Sequence, residues 1–362
     1  MNNLRKIAAG SLAAVLAFSM AACGSSNASS DGTGESTGKA VTVNEKSAKA
    51  TSLADFGTME DLEKAAKEEG ALNVIALPHD WSNYGEVIES FKKKYPEIKV
   101  TELNPNASSK EELDAAKTNK GTDAAPDVFD VGQAIAATST DYFAPYKVQA
   151  WDKIPDTAKD ADGAYYADYT GIMSVGWNAD KYGDISSLDD LLDPKLAGGD
   201  INNLQPGLDY FKKLKEAGNL TTVDVTNGTI DSGQTGVVFD WTYNQASYKK
   251  ELKDKGVNWK YKTFPKAQVV SYYNQAINKD APHPAAARLW EEYLYTADAQ
   301  SLWFKGGANP VLLDSMKEDG TVDQATLKDA ITIEGEPVSY TNDDSTRITE
   351  WLQNNWDKTI GN

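Results

Sequence analysis

Between residues 59 and 132 the chain alternates amphipathic helical segments with short apolar strands. Met59, Leu62 and Ala66 recur at helical spacing before Gly70, and the apolar run "ALNVIAL" follows directly. The same order then repeats through "GEVIESFKKKYP", "IKVTELN", "KEELDAAKTN" and "PDVFDVG". A helix between two strands returns the chain to the edge from which the next strand can pair in parallel. The pattern therefore predicts an α/β fold, with a parallel sheet covered by helices.

The N-terminal 22 residues have the layout of a secretory signal. Arg5 and Lys6 precede the apolar run "IAAGSLAAVLAFSM", which is too short to span a bilayer. Cys23, the one cysteine of the chain, follows "MAA" and precedes Gly24, which resembles the bacterial lipobox. The resemblance implies lipidation of Cys23 and removal of residues 1–22; ordinary cleavage and release is the alternative. A single cysteine excludes a disulfide framework.

The next segment predicts a tether. Residues 24–50 are rich in glycine and serine and nearly devoid of large apolar side chains, so they cannot bury enough surface to fold. We expect residues 23–50 to be a disordered tether that holds the protein outside the cell membrane by its lipid anchor alone.

The formal charge of −18 favours some partners over others. An acidic surface repels nucleic acid and anionic lipid headgroups and attracts cations. We therefore expect no nucleic-acid partner, although solubility alone is an alternative explanation of the charge.

The order of several motifs resembles one bacterial family. "EGALNVIAL", "FKKKYPEIKV", "APDVFDVGQ", "YYADYTGIMSVGWNADKYGD", "SLDDLLDPKLAG" and "AINKDAPHPAAARLWEEYLYTADAQSLWFKGGANPV" occur in that order. Together they resemble the extracellular solute-binding proteins of ABC importers, in the branch that binds iron(III), polyamines, thiamine and phosphonates. The resemblance covers residues 71–311.

This resemblance implies a two-lobed, type 2 periplasmic-binding-protein fold with hinge strands and an interlobe cleft. It places the first lobe at residues 51–170, the second at 171–270, and a return to the first lobe with C-terminal helices at 271–362. It also implies a monomer without cofactor that delivers its solute to a membrane permease and its ATPase. One departure is that only "INN" separates "DPKLAGGD" from "LQPGLDYF", so the second lobe is shorter than the family pattern.

Acids and aromatic residues follow the predicted strands in five loops. In open α/β sheets, ligands lie beyond the carboxyl ends of the strands, and carboxylates beside ring faces suit an ammonium group. The predicted ligand residues are Asp80, Trp81, Asp130, Tyr166, Asp168, Asp240, Trp241, Tyr243 and Tyr273.

Several of these residues also have a structural alternative. Asp80 or Ser82 would cap the following helix, with Trp81 packed against it. Tyr166 and Asp168 share one face of a strand and would instead pack at the hinge. One ring of the Tyr272–Tyr273 pair is expected in the core.

The arginine count bears on the solute. Arg5, Arg288 and Arg347 are the only arginines, so no candidate loop offers the bidentate fork that carboxylate or phosphate sites usually use. A polyamine or another organic cation is the preferred solute. Iron(III), held by His79, Glu86 and Tyr243, a phosphonate held by helix N-termini, a sugar and a thiamine-like compound stay open.

An enzyme is the less favoured class. The chain has two histidines, and it lacks a Gly-x-Ser-x-Gly elbow, a phosphate-binding glycine loop and a Cys/His cluster for zinc. Paired carboxylates leave a secreted glycoside hydrolase as an alternative, and a surface adhesin is another. The sequence predicts an extracytoplasmic binding protein that is not an enzyme.

Overall fold

The computed structural model describes residues 38–186, 203–221, 223–264, 268–330, 337–338 and 342–361. The predicted signal peptide, Cys23 and the first part of the tether lie outside the described residues. So does most of the segment from which we predicted a shortened second lobe.

The described chain divides into two compact units. The first unit comprises residues up to Gly171 together with Ser271–Ala330, and the second comprises Ile172–Val270 together with the residues after Ala330. The chain therefore crosses between the units near the predicted hinge positions. The C-terminal segment differs from the prediction, because it belongs to the second unit instead of returning to the first.

Nine strands are present in the part of the chain that the structure describes. They are β1 (Ala71–Ile75), β2 (Lys99–Leu103), β3 (Val128–Gly132), β4 (Phe143–Ala144), β5 (Tyr166–Asn178), β6 (Val237–Trp241), β7 (Trp259–Lys262), β8 (Val270–Asn278) and β9 (Asn309–Pro310).

Helices account for most of the remaining described chain. They are α1 (Glu45–Lys49), α2 (Met59–Glu69), α3 (Tyr84–Lys94), α4 (Ser109–Thr118), α5 (Gln133–Thr138), α6 (Ala179–Tyr182), α7 (Gln205–Glu216), α8 (Asn227–Ser232), α9 (Thr242–Lys253), α10 (Pro284–Leu294), α11 (Ala297–Lys305), α12 (Leu313–Glu318), α13 (Gln324–Asp329) and α14 (Asn342–Thr359). Among the described residues, none of these helices is long and apolar enough to cross a membrane.

The first two strands pair in parallel, as the alternating pattern predicts, with Ala71 opposite Lys99. The expected parallel sheet is wrong for β3, which pairs antiparallel with β8, so that Asp130 lies opposite Gln275. The physical reason is that the partner of β3 comes from far along the chain, and a local pattern does not carry that information. In the second unit, β6 and β7 pair antiparallel with β5.

The predicted C-terminal end of α2 agrees with the structure. Thr58 and Asp61 form a capping box at the start of α2, and Gly70 ends it in the left-handed conformation with φ of 70°. In α3 the predicted inner stripe of Val87, Ile88 and Phe91 is fully buried, which confirms that prediction.

The two units have separate apolar cores. In the first unit, Phe91 packs against Trp290 and Tyr293 of α10, which also contacts α2. In the second unit, Phe211 of α7 packs against Trp356 of α14. This contact explains why the C-terminal helix belongs to the second unit.

The structure corrects the C-terminal end of the predicted tether. Asn44 caps α1, and the buried Arg288 donates from Nε to the Ala50 carbonyl at 2.8 Å and from Nη2 to the Ala48 carbonyl at 2.9 Å. Residues 38–50 are therefore attached to the first unit by hydrogen bonds. Composition did not predict this, because a buried arginine distant in sequence supplies the donors.

Candidate ligand site

The loop between β1 and α3 is a compact turn that carries the first predicted ligand residues. The Trp81 N–H donates to the Pro78 carbonyl at 3.1 Å, and the Tyr84 N–H donates to the Trp81 carbonyl at 3.0 Å. The turn leaves Asp80 exposed and Trp81 half-buried. Neither Asp80 nor Ser82 caps α3, whose N-cap residue is Asn83, so the capping alternative for these two residues is wrong.

Trp81 is part of a group of rings in the first unit, which we call the aromatic cluster: Trp81, Tyr84, Tyr169, Tyr273 and Trp303. Trp81 donates from Nε1 to the Tyr169 hydroxyl at 2.9 Å. Tyr169 stacks on Tyr273 with ring centroids 5.8 Å apart, and Trp81 meets Tyr273 edge-on at 5.9 Å. Tyr84 and Trp303 pack behind Tyr169. Of the five rings, those of Trp81 and Tyr273 are half-buried and the others fully buried.

A buried carboxyl lies behind the aromatic cluster. Asp168 Oδ2 accepts from the Tyr84 hydroxyl at 2.9 Å and from Gln275 Nε2 at 2.9 Å, while Oδ1 accepts from the Tyr169 N–H at 2.8 Å. Gln275 Nε2 also lies 3.1 Å from Asp130 Oδ1. The register of β3 and β8 causes this contact, because it places Asp130 directly across from Gln275.

Burial governs the protonation of this network. It raises the pKa of Asp168 to about 7, although the hydrogen bonds from Gln275 and Tyr84 act in the opposite direction. Burial also raises the pKa of Asp130 well above its usual range, and the nearby Asp168 and Glu112 carboxyls add to the effect. The groups that donate to Asp168 are all uncharged. No cation among them offsets the rise in pKa that desolvation causes.

Tyr166 lies in the interior of the same unit. Its ring is 1% exposed and packs between Trp151, at a centroid distance of 5.5 Å, and Tyr295, at 5.1 Å. Burial and the Asp168 carboxyl raise the pKa of the buried Glu291, and Tyr166 lowers it. Tyr166 and Asp168 therefore both lie near Glu291, consistent with their shared face on β5. Burial of Tyr166 favours the packing alternative over ligand contact.

The three predicted residues of the second unit lie where β6 meets α9. Asp240 Oδ1 accepts from the Trp241 N–H at 2.7 Å and from Asn244 Nδ2 at 2.9 Å, and Oδ2 accepts from the Tyr248 hydroxyl at 2.9 Å. Trp241 and Tyr243 are buried. Burial raises the pKa of Asp240. These local bonds favour a structural role for Asp240 at the start of α9, and its ligand role stays a prediction.

The residues of the alternative iron set are hydrogen-bonded, ion-paired or buried. His79 Nε2 lies 2.5 Å from Glu102 Oε2, and Glu86 pairs with Lys305 Nζ at 2.9 Å. Tyr243 is 2% exposed. Within the ranges that the structure describes, no group of three or more His, Cys, Asp or Glu side chains is arranged to hold a metal ion.

Several residues of the site were not among the predicted ligand residues. Tyr84 and Tyr169 link Trp81 to Asp168, and Gln275 links Asp168 to Asp130. A signal for Gln275 exists, since "YYNQAIN" places the adjacent amides Asn274 and Gln275 within a strand, between aromatic and apolar residues. Period-two alternation places Tyr169 on the opposite face of β5 from Asp168. This pattern does not reveal that the Tyr169 main-chain N–H contacts Asp168 or that its ring packs in the aromatic cluster.

A cavity of about 290 Å³ lies elsewhere in the first unit. Its lining includes Lys153, Glu292 and Met316, and Lys153 pairs with Asp319 at 2.7 Å. The predicted ligand residues are not part of this lining, so the cavity is separate from the aromatic cluster.

Comparisons with known proteins define the fold. No protein-family model matches the chain, and no curated protein matches it. Among solved structures, it is similar to the periplasmic binding protein AgtB of A. tumefaciens R10 in complex with agropinic acid, with 14% identity, coverage of 81% of this chain and 99% of that chain, and a TM-score of 0.59.

Two further structures show the same similarity. The ferric binding protein of Campylobacter jejuni is 15% identical, with 80% of this chain and 99% of that chain covered and a TM-score of 0.58. An ABC transporter substrate-binding protein of Bradyrhizobium japonicum USDA 110 is 12% identical, with 80% and 99% covered and a TM-score of 0.57. The chain therefore has the two-lobed α/β fold of the type 2 periplasmic binding proteins, which confirms the predicted fold class.

Proposed function

We propose that this chain is the solute-binding protein of an ABC importer and that its solute is an organic cation such as a polyamine. The observation that carries the proposal is the aromatic cluster, in which half-buried Trp81 and Tyr273 lie in front of the buried Asp168 carboxyl. The protein would act outside the cytoplasm, anchored by lipidated Cys23, and would pass its solute to a permease pair driven by an ATPase. It would catalyse no reaction.

The chemistry of the cluster suits a cation with methylene segments. The faces of Trp81 and Tyr273 attract a cation by about 0.5 to 2 kcal/mol each, and their apolar surface covers methylene groups and excludes water. The exposed Asp80, next to Trp81 in the loop, supplies a carboxylate for a charge-assisted hydrogen bond.

The role of Asp168 in this proposal differs from the one that the sequence indicates. Its carboxyl is fully buried and hydrogen-bonded, so an ammonium group in contact with Trp81 would not replace these bonds. Asp168 instead fixes Tyr84 and the main chain of Tyr169, and thereby orients the ring on which Tyr273 stacks.

Iron(III) is the second candidate solute. The similarity to a ferric binding protein favours it. In addition, His79 lies before Trp81 in the loop, Glu86 lies after it, and both side chains are exposed. In that case these two side chains would have to leave Glu102 and Lys305 before they could bind a metal ion.

A thermal-shift and calorimetry screen tests the proposal. The mature protein is titrated separately with spermidine, putrescine, ferric citrate, thiamine and 2-aminoethylphosphonate. A ligand at a hundred times its dissociation constant should add about 2.7 kcal/mol to the free energy of unfolding. We expect the polyamines to bind, and Trp81→Phe to bind them more weakly. Trp151→Phe is the matched control, because Trp151 is a half-buried tryptophan of the same unit outside the cluster.

Two results would overturn the cation proposal. One is that neither polyamine binds while ferric citrate or the phosphonate does. The other is equal polyamine affinity in the parent and Trp81→Phe.

A further inference from the structure

The turn that carries Trp81 contains two successive non-glycine residues in the left-handed region. Ser82 has φ of 46° and Asn83 has φ of 68°. Asparagine tolerates this region better than serine, and such conformations cost free energy wherever they occur. Residues in strained conformations persist only where their surroundings fix them, and they concentrate at ligand-binding and other functional positions.

Helix α11 supplies the surroundings that fix this turn. Asn83 Nδ2 donates to the Leu302 carbonyl at 2.9 Å. The backbone of Gly306, which follows the helix, lies so close that an added Cβ would be 2.6 Å from Asn83 Cβ and 3.1 Å from the Ser82 carbonyl carbon and oxygen. Gly306 has φ of −77°, which any residue adopts. Glycine is therefore required at this position for space and not for backbone conformation.

The turn and the helix end together determine the position of Trp81. Ser82 is 2% exposed, so this part of the turn is packed into the unit. Trp81 precedes the left-handed pair directly, and its indole Nε1 reaches Tyr169, which also packs against Trp303 of α11. A displacement of Ser82 and Asn83 by a few tenths of an ångström would therefore move the indole relative to the ring that it meets.

We infer that the Ser82–Asn83 turn and Gly306 form a seat that holds Trp81 in its ligand-binding geometry, so that Gly306 is a positioning residue of the site. This inference rests on the proposed function for the ligand-binding role of Trp81. An indole held in this way has already lost its conformational freedom before the solute binds. Preorganisation of this kind strengthens binding.

Three variants test the seat: Gly306→Ala, Asn83→Gly and the double variant. Gly306→Ala introduces the clash and should displace the turn. Asn83→Gly tolerates the left-handed conformation but loses the bond to Leu302, so its effect should be smaller. In the double variant the atom 2.6 Å from the new Cβ is gone, while the contacts of 3.1 Å with the Ser82 carbonyl remain. The double variant should therefore be milder than the sum of the two single changes. The matched control is Gly207→Ala, where an added Cβ meets nothing within 4 Å.

The first readout needs no ligand. The Trp81 indole N–H resonance of the ligand-free protein is assigned by its loss in Trp81→Phe. We expect this resonance to shift or broaden in Gly306→Ala, to recover toward the Asn83→Gly position in the double variant, and to stay in place in Gly207→Ala. An unchanged resonance in Gly306→Ala would overturn the inference, as would a strictly additive double variant.

The second readout is the dissociation constant for spermidine, measured by calorimetry. We expect Gly306→Ala to weaken binding at least tenfold, and Gly207→Ala to leave it within twofold. If the parent does not bind spermidine, the cation proposal fails while the resonance still tests the seat. If Gly306→Ala does not fold, Asn83→Gly alone decides: the seat predicts a broadened Trp81 resonance, and a parent-like resonance with parent-like affinity contradicts it.

Discussion

Asp168 in the first unit is fully buried and Asp240 in the second is half-buried. Both are acids at predicted ligand positions, but their hydrogen-bond partners differ in origin. The side chains that donate to Asp168 are those of Tyr84 and Gln275, far away in sequence. Those that donate to Asp240 belong to Asn244 and Tyr248 in the adjacent helix. Local donors are sufficient to satisfy a carboxylate at a helix start. The side chains that donate to Asp168 come from distant parts of the chain, so the local explanation does not apply to it.

The surroundings of the two acids extend the contrast. Asp168 lies behind Tyr84 and Tyr169 of the aromatic cluster. The two most exposed rings of this cluster, those of Trp81 and Tyr273, are half-buried. Next to Asp240, Trp241 and Tyr243 are buried. We propose that Asp168 supports the ligand site proposed above, whereas the local hydrogen bonds of Asp240 favour a structural role at the start of α9. The predictions below test this difference, from the largest expected effect to the smallest.

Removal of the Trp81 ring should have the largest effect. In Trp81→Ala the solute loses a ring face and the apolar cover of its methylene groups, so we expect spermidine affinity to fall about thirtyfold, or about 2 kcal/mol. Calorimetry measures the change, with Trp151→Ala as the control. A thirtyfold loss in the control as well would show that any tryptophan of the unit matters, and would remove the special role of Trp81.

The pH dependence of stability tests the burial of Asp168 next; burial also raises the pKa of Asp240, which acts with the same sign. Asp168 binds its proton up to about pH 7 in the folded protein and up to about pH 4 when unfolded. The folded state therefore holds more protons between these values, and its stability should fall as pH rises through this window. The buried Asp130, Glu112 and Glu291, whose pKa values are also raised, act with the same sign.

Urea unfolding at pH 5 and pH 8 measures this effect. We expect Asp168→Asn to show a smaller decrease in midpoint between the two pH values than the parent, because the amide does not titrate while the other buried acids still do. Asp152→Asn, at an exposed acid of the same unit, should retain the parent's decrease. A full parental decrease in Asp168→Asn would contradict the assignment of the titration to this carboxyl.

Matched phenol deletions compare the two hydrogen-bond sets. Tyr84→Phe removes a donor to Asp168 from a fully buried position, and we expect a loss of about 1 to 3 kcal/mol in the free energy of unfolding. Tyr248→Phe removes the half-buried donor to Asp240 and should cost about 0.5 to 1.5 kcal/mol. Chemical denaturation of both variants checks the order. The comparison fails if Tyr248→Phe costs more.

The smallest expected effect is that of Asp240→Asn on binding. If Asp240 serves the start of α9, the amide retains most of the hydrogen bonds, and spermidine affinity should stay within twofold while the thermal midpoint falls slightly. A tenfold or greater loss of affinity with an unchanged midpoint would restore the ligand role that the sequence indicates for Asp240.

The sequence predicts the elements of the fold better than their pairing. Helical spacing and the Gly70 stop predict α2 and α3 closely, because both signals are local. The antiparallel pairing of β3 with β8, and the attachment of α14 to the second unit, depend on contacts between residues more than a hundred positions apart. Local periodicity contains no information about such contacts.

The candidate site shows the same limit. The loop "PHDWSNY" leads to the prediction of Trp81, because an aromatic residue just beyond a buried strand requires an explanation. The sequence does not show that Asp168 and Asp130 are buried, since an acid in a strand is consistent with either face. The left-handed conformation of Ser82 and the close approach of Gly306 depend on the packing of α11, so they emerge only once the chain is folded.

A crystal structure of the protein grown with spermidine tests the central claim most directly. We predict that one ammonium group of the bound solute lies within about 6 Å of the Trp81 or Tyr273 ring centroid, with Trp81 Nε1 still donating to Tyr169. Spermidine bound away from both rings, or no spermidine bound at a concentration that saturates the protein in calorimetry, would contradict the account.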